Sequence, residues 1–209
     1  MPLVVVTGLI GAGKTTVAGR LAEGLGGAAL DEPTLDSPQL ARFYADMAAG
    51  RLAETHSAAT LQFRLLEFRL GQYLDAVQPQ LAAGGTVVLA RSIEEDLAFA
   101  RVLRDGGALT EDERAVHAGL LRMVTRLIPR PDLVVRVATP PATCLARIRL
   151  RGRRMEASID LAYLERLDAA YAVLEGEMPG VPQLLVDNSG ALPDARALAA
   201  QARAVCPGV

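Results

Sequence analysis

The sequence is poor in the features that mark metal, disulfide and membrane proteins. It has only two cysteines, Cys144 and Cys206, which lack the close CxxC spacing of metal or redox sites. Two thiols do not build the disulfide framework of a small secreted protein, so we expect a reducing, cytoplasmic environment. No run approaches the roughly 18 uninterrupted apolar residues that a membrane helix needs. We therefore expect a soluble protein with no membrane partner.

An excess of charge of one sign is also missing. The 24 acidic residues nearly balance the 22 lysines and arginines, and the formal net charge is −2. No broad basic field invites a nucleic-acid backbone or an anionic membrane surface, so we expect no nucleic-acid partner. The first residues, MPLVVV, have no basic flank and reach a glycine loop before a signal sequence could form. We therefore expect no targeting segment.

Lysine is almost absent. Lys14 is the only lysine in the chain, and the rest of the lysine and arginine total is arginine. Lys14 lies in GLIGAGKTT at positions 8–16, which matches the pattern GxxxxGK[ST] between a predicted strand and a predicted helix. Glycines let backbone N–H groups face a phosphate, and the lysine reaches its β and γ oxygens. The Thr15 hydroxyl can ligate Mg²⁺. The predicted phosphate-binding residues of this loop are Gly8, Gly11, Ala12, Gly13, Lys14, Thr15 and Thr16.

Short apolar segments alternate with helical segments along the whole chain. Strands are predicted at 3–7, 28–30, 86–89, 133–137 and 183–186, and the longest helix at 55–83. Such alternation implies a parallel sheet covered on both faces, with its ligand site at the carboxyl ends of the strands. We predict an α/β P-loop NTPase fold that forms a single domain over residues 1–209.

The GTPase class is disfavoured, because the sequence has no NKxD base-reading motif. The segment DNSG at 187–190 has the letters of a DxxG switch but follows a different strand, and we interpret it as a turn.

Charged residues follow two of the predicted strands at the edge where the phosphate loop lies. Glu32 follows the second strand, and Arg91 follows the third. Phosphoryl transfer needs positioning and charge neutralisation, so an acceptor hydroxyl requires a nearby carboxylate and cations around the γ-phosphate. A helix-capping acid and a surface ion pair are the structural alternatives for these two residues.

One face of the long helix carries two planar hydrogen-bonding groups. Gln62, Leu66 and Arg69 are spaced i, i+4, i+7, so they share that face. The face could read the edge of a nucleobase, and a solvated helix surface is the alternative.

Ordered motifs across nearly the whole chain resemble those of the deoxynucleoside kinase family. They are GLIGAGKT, Asp31-Glu32-Pro33, FYADM at 43–47, LQFRLLEFR at 61–69, ARSIEEDLAFA at 90–100, IPRPDLVV at 128–135 and RIRLRGRRME at 147–156. The resemblance implies transfer of the γ-phosphate of a nucleoside triphosphate such as ATP, with Mg²⁺, to the 5′-hydroxyl of a 2′-deoxynucleoside. It also implies a dimeric enzyme of nucleotide salvage, built on a five-stranded parallel β-sheet flanked by helices.

The resemblance implies roles for individual residues at the acceptor. Glu32 matches the base that activates the 5′-hydroxyl, and Arg91 matches the arginine that holds this hydroxyl. With Lys14 these two residues form the predicted catalytic set. Tyr44 and Glu156 match the pair on the 3′-hydroxyl.

The resemblance also implies base readers and a lid. Gln62, Arg69 and Asp96 match the base readers, and an arginine with an aspartate favours a purine, deoxyguanosine or deoxyadenosine. A deoxycytidine-preferring kinase is the alternative. An arginine-rich lid at about 147–158 would close on the triphosphate, since guanidinium groups suit forked phosphate contacts. Its phosphate-binding residues would be Arg147, Arg151 and Arg153.

The sequence departs from the family pattern at one position. The family's [DE]RS motif begins with a carboxylate that helps to hold Mg²⁺, and this chain has Ala90 there. Three explanations stay open: a compensating acid such as Asp31, a naturally impaired nucleotide-binding subunit, or an engineered inactivating change. A kinase for another metabolite, such as a nucleoside monophosphate, is the alternative enzyme.

A dimer is expected from the helices at 55–83 and 110–128. They carry more apolar positions than one sheet face uses, so part of that surface should form an interface. We predict a homodimer, with a heterodimer containing an active paralogue as the alternative.

Overall fold

The chain forms one five-stranded sheet in the order β2-β3-β1-β4-β5. The computed structural model describes residues 1–31, 37–174 and 178–209. All neighbouring strands pair in parallel, which confirms the predicted α/β architecture. The strands are β1 Leu3–Thr7, β2 Ala28–Leu30, β3 Val87–Ala90, β4 Leu133–Ala138 and β5 Gln183–Asp187.

Helices flank this sheet. They are α1 Lys14–Leu25, α2 Pro38–Ala48, α3 Leu52–Thr55, α4 Ser57–Gln72, α5 Gln78–Ala82, α6 Glu95–Asp105, α7 Glu111–Val124, α8 Pro141–Arg151, α9 Leu161–Leu174 and α10 Ala195–Val205. A π-helical turn, Tyr73–Val77, joins α4 to α5, and a 3₁₀ helix, Arg154–Ser158, follows α8. Among the helices of the described ranges, none has the length and apolar character needed to span a bilayer.

The central strand β1 is buried on both faces. Its side chains alternate between the two faces because a strand has a period of two. Leu3 and Val5 pack in the cluster that contains Tyr73, whereas Val4 and Val6 pack in the cluster that contains Leu21 of α1. This two-sided burial explains the continuous apolar run of the strand, as expected for a parallel sheet.

The long helix predicted over residues 55–83 is interrupted in the structure, so that prediction is wrong in detail. His56 has a left-handed backbone (φ 52°) and separates α3 from α4. The π-helical turn then precedes α5, where Pro79 stands in the first turn and needs no N–H partner. Helix α7 begins with a capping box, in which the side chain of Thr110 accepts from the N–H of Glu113 and the side chain of Glu113 accepts from the N–H of Thr110.

Candidate active site

The phosphate loop connects β1 to α1 and requires glycine at two close approaches. Gly11 and Gly13 have positive φ angles, 81° and 94°. A Cβ at Gly11 would stand 2.6 Å from the carbonyl oxygen of Cys144, and one at Gly13 would stand 2.5 Å from Nδ2 of Asn188. Conformation and space therefore both exclude larger residues.

The lysine of the loop bends back over its own backbone. Lys14 Nζ donates to the carbonyl oxygens of Gly8 at 2.7 Å and Leu9 at 2.9 Å. Thr15 and Thr16, in the first turn of α1, have exposed side chains. The ammonium group, the two hydroxyls and the N-terminus of α1 thus lie together, which is the arrangement that binds phosphates.

Three donors converge on one carbonyl oxygen of the loop. Ala12 O accepts from Asn188 Nδ2 at 2.7 Å, from Thr139 Oγ1 at 3.1 Å and from Arg147 Nη1 at 3.2 Å. Arg147 Nη2 also donates to the carbonyl oxygen of Asn188 at 2.8 Å. The loop is therefore tied to the ends of β4 and β5.

Asn188 is a site residue that the sequence pattern did not reveal. The sequence pattern predicts only a turn at 187–190, although this segment directly follows β5 at the edge of the sheet where the phosphate loop lies. Its position directly after β5 was the feature of the sequence from which a role in the site could have been predicted. Arg147, predicted as a phosphate ligand of the lid, contacts loop backbone here.

One cavity of about 480 Å³ gathers most of the predicted residues. It begins at the phosphate loop and extends between α2, α4 and α6. Gly8 and Ala12 belong to the loop without lining the cavity, and Glu32 lies outside the described residues. The predicted residues that line it are Gly11, Gly13, Lys14, Thr15, Thr16, Tyr44, Gln62, Arg91, Arg147, Arg151, Arg153 and Glu156.

Of the predicted base readers, Gln62 lines this cavity, whereas Arg69 and Asp96 are buried and are not among its lining residues. Arg69 of α4 and Asp96 of α6 form a short ion pair, and their side chains are 3% and 0% exposed. Gln62, 2% exposed, lies two turns before Arg69. Gln62 Oε1 and Asp96 Oδ2 have no hydrogen-bond partner among the described residues. A buried acceptor without a donor costs about 1–3 kcal/mol, so the Gln62 acceptor in the cavity lining suits a ligand that donates hydrogen bonds.

Arg91 is held in place by its backbone and by a buried acid. It has a positive φ of 82°, which costs a residue with a side chain about 1–2 kcal/mol. Its guanidinium carbon lies 5.0 Å from the centroid of the Phe99 ring, and its Nε lies 3.9 Å from Glu95 Oε2. Tyr171 donates a short hydrogen bond to the same Glu95 oxygen. Burial raises the pKa of Tyr171 well above its ordinary value, so its hydroxyl stays protonated as a donor.

The arginine-rich segment is paired with a buried glutamate. Arg151 Nη2 lies 2.6 Å from Glu156 Oε2, and Arg153 Nη1 lies 3.5 Å from Glu156 Oε1. Glu156 is 7% exposed. Tyr44, its predicted partner at the sugar, lies on α2 and lines the same cavity. The structure thus brings the predicted lid and the predicted sugar-binding pair together.

Ala90 places a methyl group beside the phosphate loop. It ends β3 opposite Val6 of β1 and is buried. It also lines the cavity of about 480 Å³ that begins at the phosphate loop. Asp31 lines the same cavity. Asp31 is thus positioned at the cavity where a substitute for the missing carboxylate would be needed.

A phosphate loop after the central strand of a five-stranded parallel sheet defines the P-loop kinase fold. The model of the deoxynucleoside kinase family matches residues 4–199. The chain therefore belongs to the deoxynucleoside kinase family.

Curated relatives of this chain include both deoxynucleoside kinases and thymidylate kinases. A deoxyadenosine kinase of Dictyostelium discoideum is 33% identical over 80% of this chain, which spans 64% of the length of that relative. A thymidylate kinase of Xanthomonas euvesicatoria pv. vesicatoria is 32% identical over 97% of this chain and 82% of the relative. Among solved structures, deoxyadenosine kinase from M. mycoides with bound dATP superposes with a TM-score of 0.73. It is 23% identical, over 90% of this chain and 91% of the other, so it supports the fold alone.

We predict that Asn188→Ala weakens binding of a nucleoside triphosphate by about tenfold, because the carbonyl oxygen of Ala12 loses one of three donors and the loop becomes less fixed. Calorimetric titration with ATP measures the change. Ser189→Ala is the matched control, since Ser189 donates to Asp187 through its backbone N–H, which the substitution keeps. Equal affinities for wild type and Asn188→Ala would contradict this role.

Proposed function

We propose that this protein transfers the γ-phosphate of ATP to the 5′-hydroxyl of a purine 2′-deoxynucleoside, deoxyadenosine or deoxyguanosine. The observation that carries the proposal is the continuous cavity that joins a phosphate loop at one end to Gln62 at the other. The name of the Dictyostelium relative supports the substrate class. A nucleoside and a triphosphate tail would fit end to end in this cavity.

The triphosphate end is supported by a group of cations. Lys14, Arg151 and Arg153 line it, and Arg147 fixes the loop there. Phosphoryl transfer is accelerated mainly by positioning and by neutralising charge on the transferred group. Arg151 and Arg153 are now paired with Glu156. We propose that they turn to the phosphates when the segment at about 147–158 closes as a lid.

The base end is supported by two acceptors that lack donors within the described chain, Gln62 Oε1 in the cavity lining and Asp96 Oδ2 outside it. Gln62 Oε1 and Asp96 Oδ2 would accept hydrogen bonds from N–H groups of the base, and Arg69 would donate to a ring nitrogen or carbonyl. An exocyclic amino group supplies such donors in adenine, guanine and cytosine. Thymine has no exocyclic amino group, so it satisfies this pair of acceptors less well.

The acceptor hydroxyl would lie between the two ends. Arg91, which contacts Glu95 and Phe99, would hold the 5′-hydroxyl. Tyr44 and Glu156 would bind the 3′-hydroxyl from the cavity wall. Glu32, which lies outside the described residues, stays the proposed base by resemblance, and it follows β2 along the chain.

The site offers only a few protein ligands for Mg²⁺, and these are enough for this ion. The described residues contain no group of three or more His, Cys, Asp or Glu side chains that could hold a metal ion. Mg²⁺ commonly uses one or two protein oxygens together with phosphates and waters, and Thr15 and Asp31 both line the cavity. We propose that Thr15, with Asp31 in place of the missing acid, would hold Mg²⁺, which would neutralise charge on the phosphates.

We also propose a homodimer through the outer face of α7. Val116, Leu120 and Met123 are exposed there at spacings of four and three residues, and Leu127 continues the line. A contiguous apolar stripe on a helix marks an interface, and a second copy of the same helix would cover it symmetrically.

The direct test of the proposed reaction is γ-phosphate transfer from radiolabelled ATP with Mg²⁺ to deoxyadenosine, deoxyguanosine, deoxycytidine and thymidine. We expect the two purine nucleosides to give the highest kcat/KM.

Lys14→Ala should lower kcat about 100-fold, because the charge of the lysine contacts the transferred group. Asp96→Asn should reduce the discrimination between purine nucleosides and thymidine. No transfer to any of the four would overturn the proposal.

A kinase for a nucleoside monophosphate is the second candidate, favoured by the similarity to thymidylate kinase over nearly the whole chain. It leaves Tyr44, Gln62 and Glu156 without a common role. Thymidine 5′-monophosphate in the same panel decides between the two, since transfer to it alone would select the second candidate.

We predict that Ala90→Asp or Ala90→Glu raises kcat, because either change restores a carboxylate at the metal site. The same transfer assay, with Mg²⁺ varied, measures the effect. Ala83→Asp is the control, since it adds an acid at the end of α5, away from the residues that line the cavity. Unchanged or lower turnover in both Ala90 variants would point to compensation by another group such as Asp31.

We predict that Met123→Glu converts a dimer to a monomer at micromolar concentration, because it puts a charge in the apolar contact. Light scattering after gel filtration measures the mass. Arg126→Glu, also exposed but outside the stripe, is the control. A monomeric wild type would contradict the proposed interface.

A further inference from the structure

The cavity of about 480 Å³ at the phosphate loop is called the nucleotide cavity below. A second cavity, of about 670 Å³, lies on the other side of α6 from it. Phe99 and Leu103 line the nucleotide cavity, whereas Leu97 and Arg101 line the second one. Within the described chain the two cavities share no lining residue. Helix α7, the end of α9 and the segment 128–131 form the remaining walls. The second cavity is thus separate from the proposed active site, and its occupancy does not depend on the proposed function.

Arginines dominate the charge of the second cavity. Glu94 is the one acidic side chain among its described lining residues, against five arginines. The guanidinium groups of Arg101 and Arg122, both exposed residues, make no ion pair or hydrogen bond with another described residue. Two guanidinium groups that line a concave site and have no acidic partner in the described ranges favour an anion, and they suit phosphate oxygens in particular. The five arginines are Arg101, Arg104, Arg114, Arg122 and Arg130.

The interior of the cavity has polar atoms without partners. His117 is 1% exposed, and neither of its ring nitrogens has a hydrogen-bond partner among the described residues. Burial and the charge of Arg69 lower the pKa of His117 to about 4. At neutral pH the ring is therefore uncharged, with one donor and one acceptor nitrogen. Oε2 of Glu94, which also lines the cavity, likewise lacks a partner in the described chain.

The cavity has a larger volume and more apolar lining than an inorganic anion requires. Its volume falls in the range of pockets for small organic ligands, about 300–1,000 Å³. Leu97, Leu121 and Leu174 add apolar surface to a lining that also contains the arginines and His117. An occupant should therefore combine a phosphate with an organic body that both donates and accepts hydrogen bonds.

We propose that this second cavity binds a small organic phosphate monoester, with its phosphate on Arg101 and Arg122 and its body against His117 and Glu94. A nucleoside monophosphate and a sugar phosphate share this chemistry. Their different bodies distinguish them by experiment.

The test uses the full chain carrying Lys14→Ala, which weakens phosphate binding at the loop. The chain has two histidines, so imidazole NMR resonances of His117 can be followed and separated from those of His56 by His56→Gln. The probes are AMP, ribose 5-phosphate and inorganic phosphate, each titrated to saturation. We expect AMP or ribose 5-phosphate to shift the His117 resonances saturably, and to bind more tightly than inorganic phosphate.

Matched variants show whether the arginines hold the phosphate. Arg101→Ala combined with Arg122→Ala should raise the Kd at least about tenfold, because both charge-assisted contacts are lost. Arg126→Ala removes an exposed arginine that does not line the cavity and should leave the Kd unchanged. Circular dichroism melts check that all variants fold. No shift of His117 with any probe, equal Kd values in the double variant and the control, or equal affinity for inorganic phosphate and both esters would overturn the proposal.

Discussion

The structure of the nucleotide site depends on one carbonyl oxygen, that of Ala12. Asn188, Thr139 and Arg147 all donate to it. These donors come from the ends of β4 and β5 and from α8, so three separate parts of the chain fix one peptide of the phosphate loop. The contacts also explain why Gly13 has no room for a side chain. A loop held this rigidly presents its N–H groups without an ordering cost on binding, which is how preorganised sites gain affinity.

The other end of the site depends on buried charges that hold each other. The Arg69–Asp96 pair joins α4 to α6 within the protein interior. Glu95 similarly orders Arg91 and accepts from Tyr171 of α9. Burying charged groups costs free energy that their pairing only partly recovers, so such pairs are weak evidence for stability. Of these side chains, Arg91 lines the nucleotide cavity, where it can contact a polar ligand, and Asp96 keeps one oxygen without a donor in the described chain.

The sheet and the phosphate loop were predictable because both follow from local patterns, a β-branched run and the glycines after it. The break at His56 was not, because a left-handed residue before a helix leaves no pattern in these side chains. Contacts between distant segments were the least predictable part of the site. Asn188 lies 176 residues from Ala12, and the pairing of Glu156 with Arg151 and Arg153 depends on the turn at Gly152. Tertiary packing, which a single sequence does not reveal, decides each of these contacts.

The binding of a triphosphate tail by the phosphate loop, with Lys14, is the property from which the other roles in the site derive. Calorimetric titration of the wild type and of Lys14→Ala with a non-hydrolysable ATP analogue in the presence of Mg²⁺ tests it most directly. We predict one tight site per chain in the wild type and a Kd at least about tenfold higher in Lys14→Ala, because a charge-assisted contact to phosphate is lost. Equal affinity in the two proteins would contradict it.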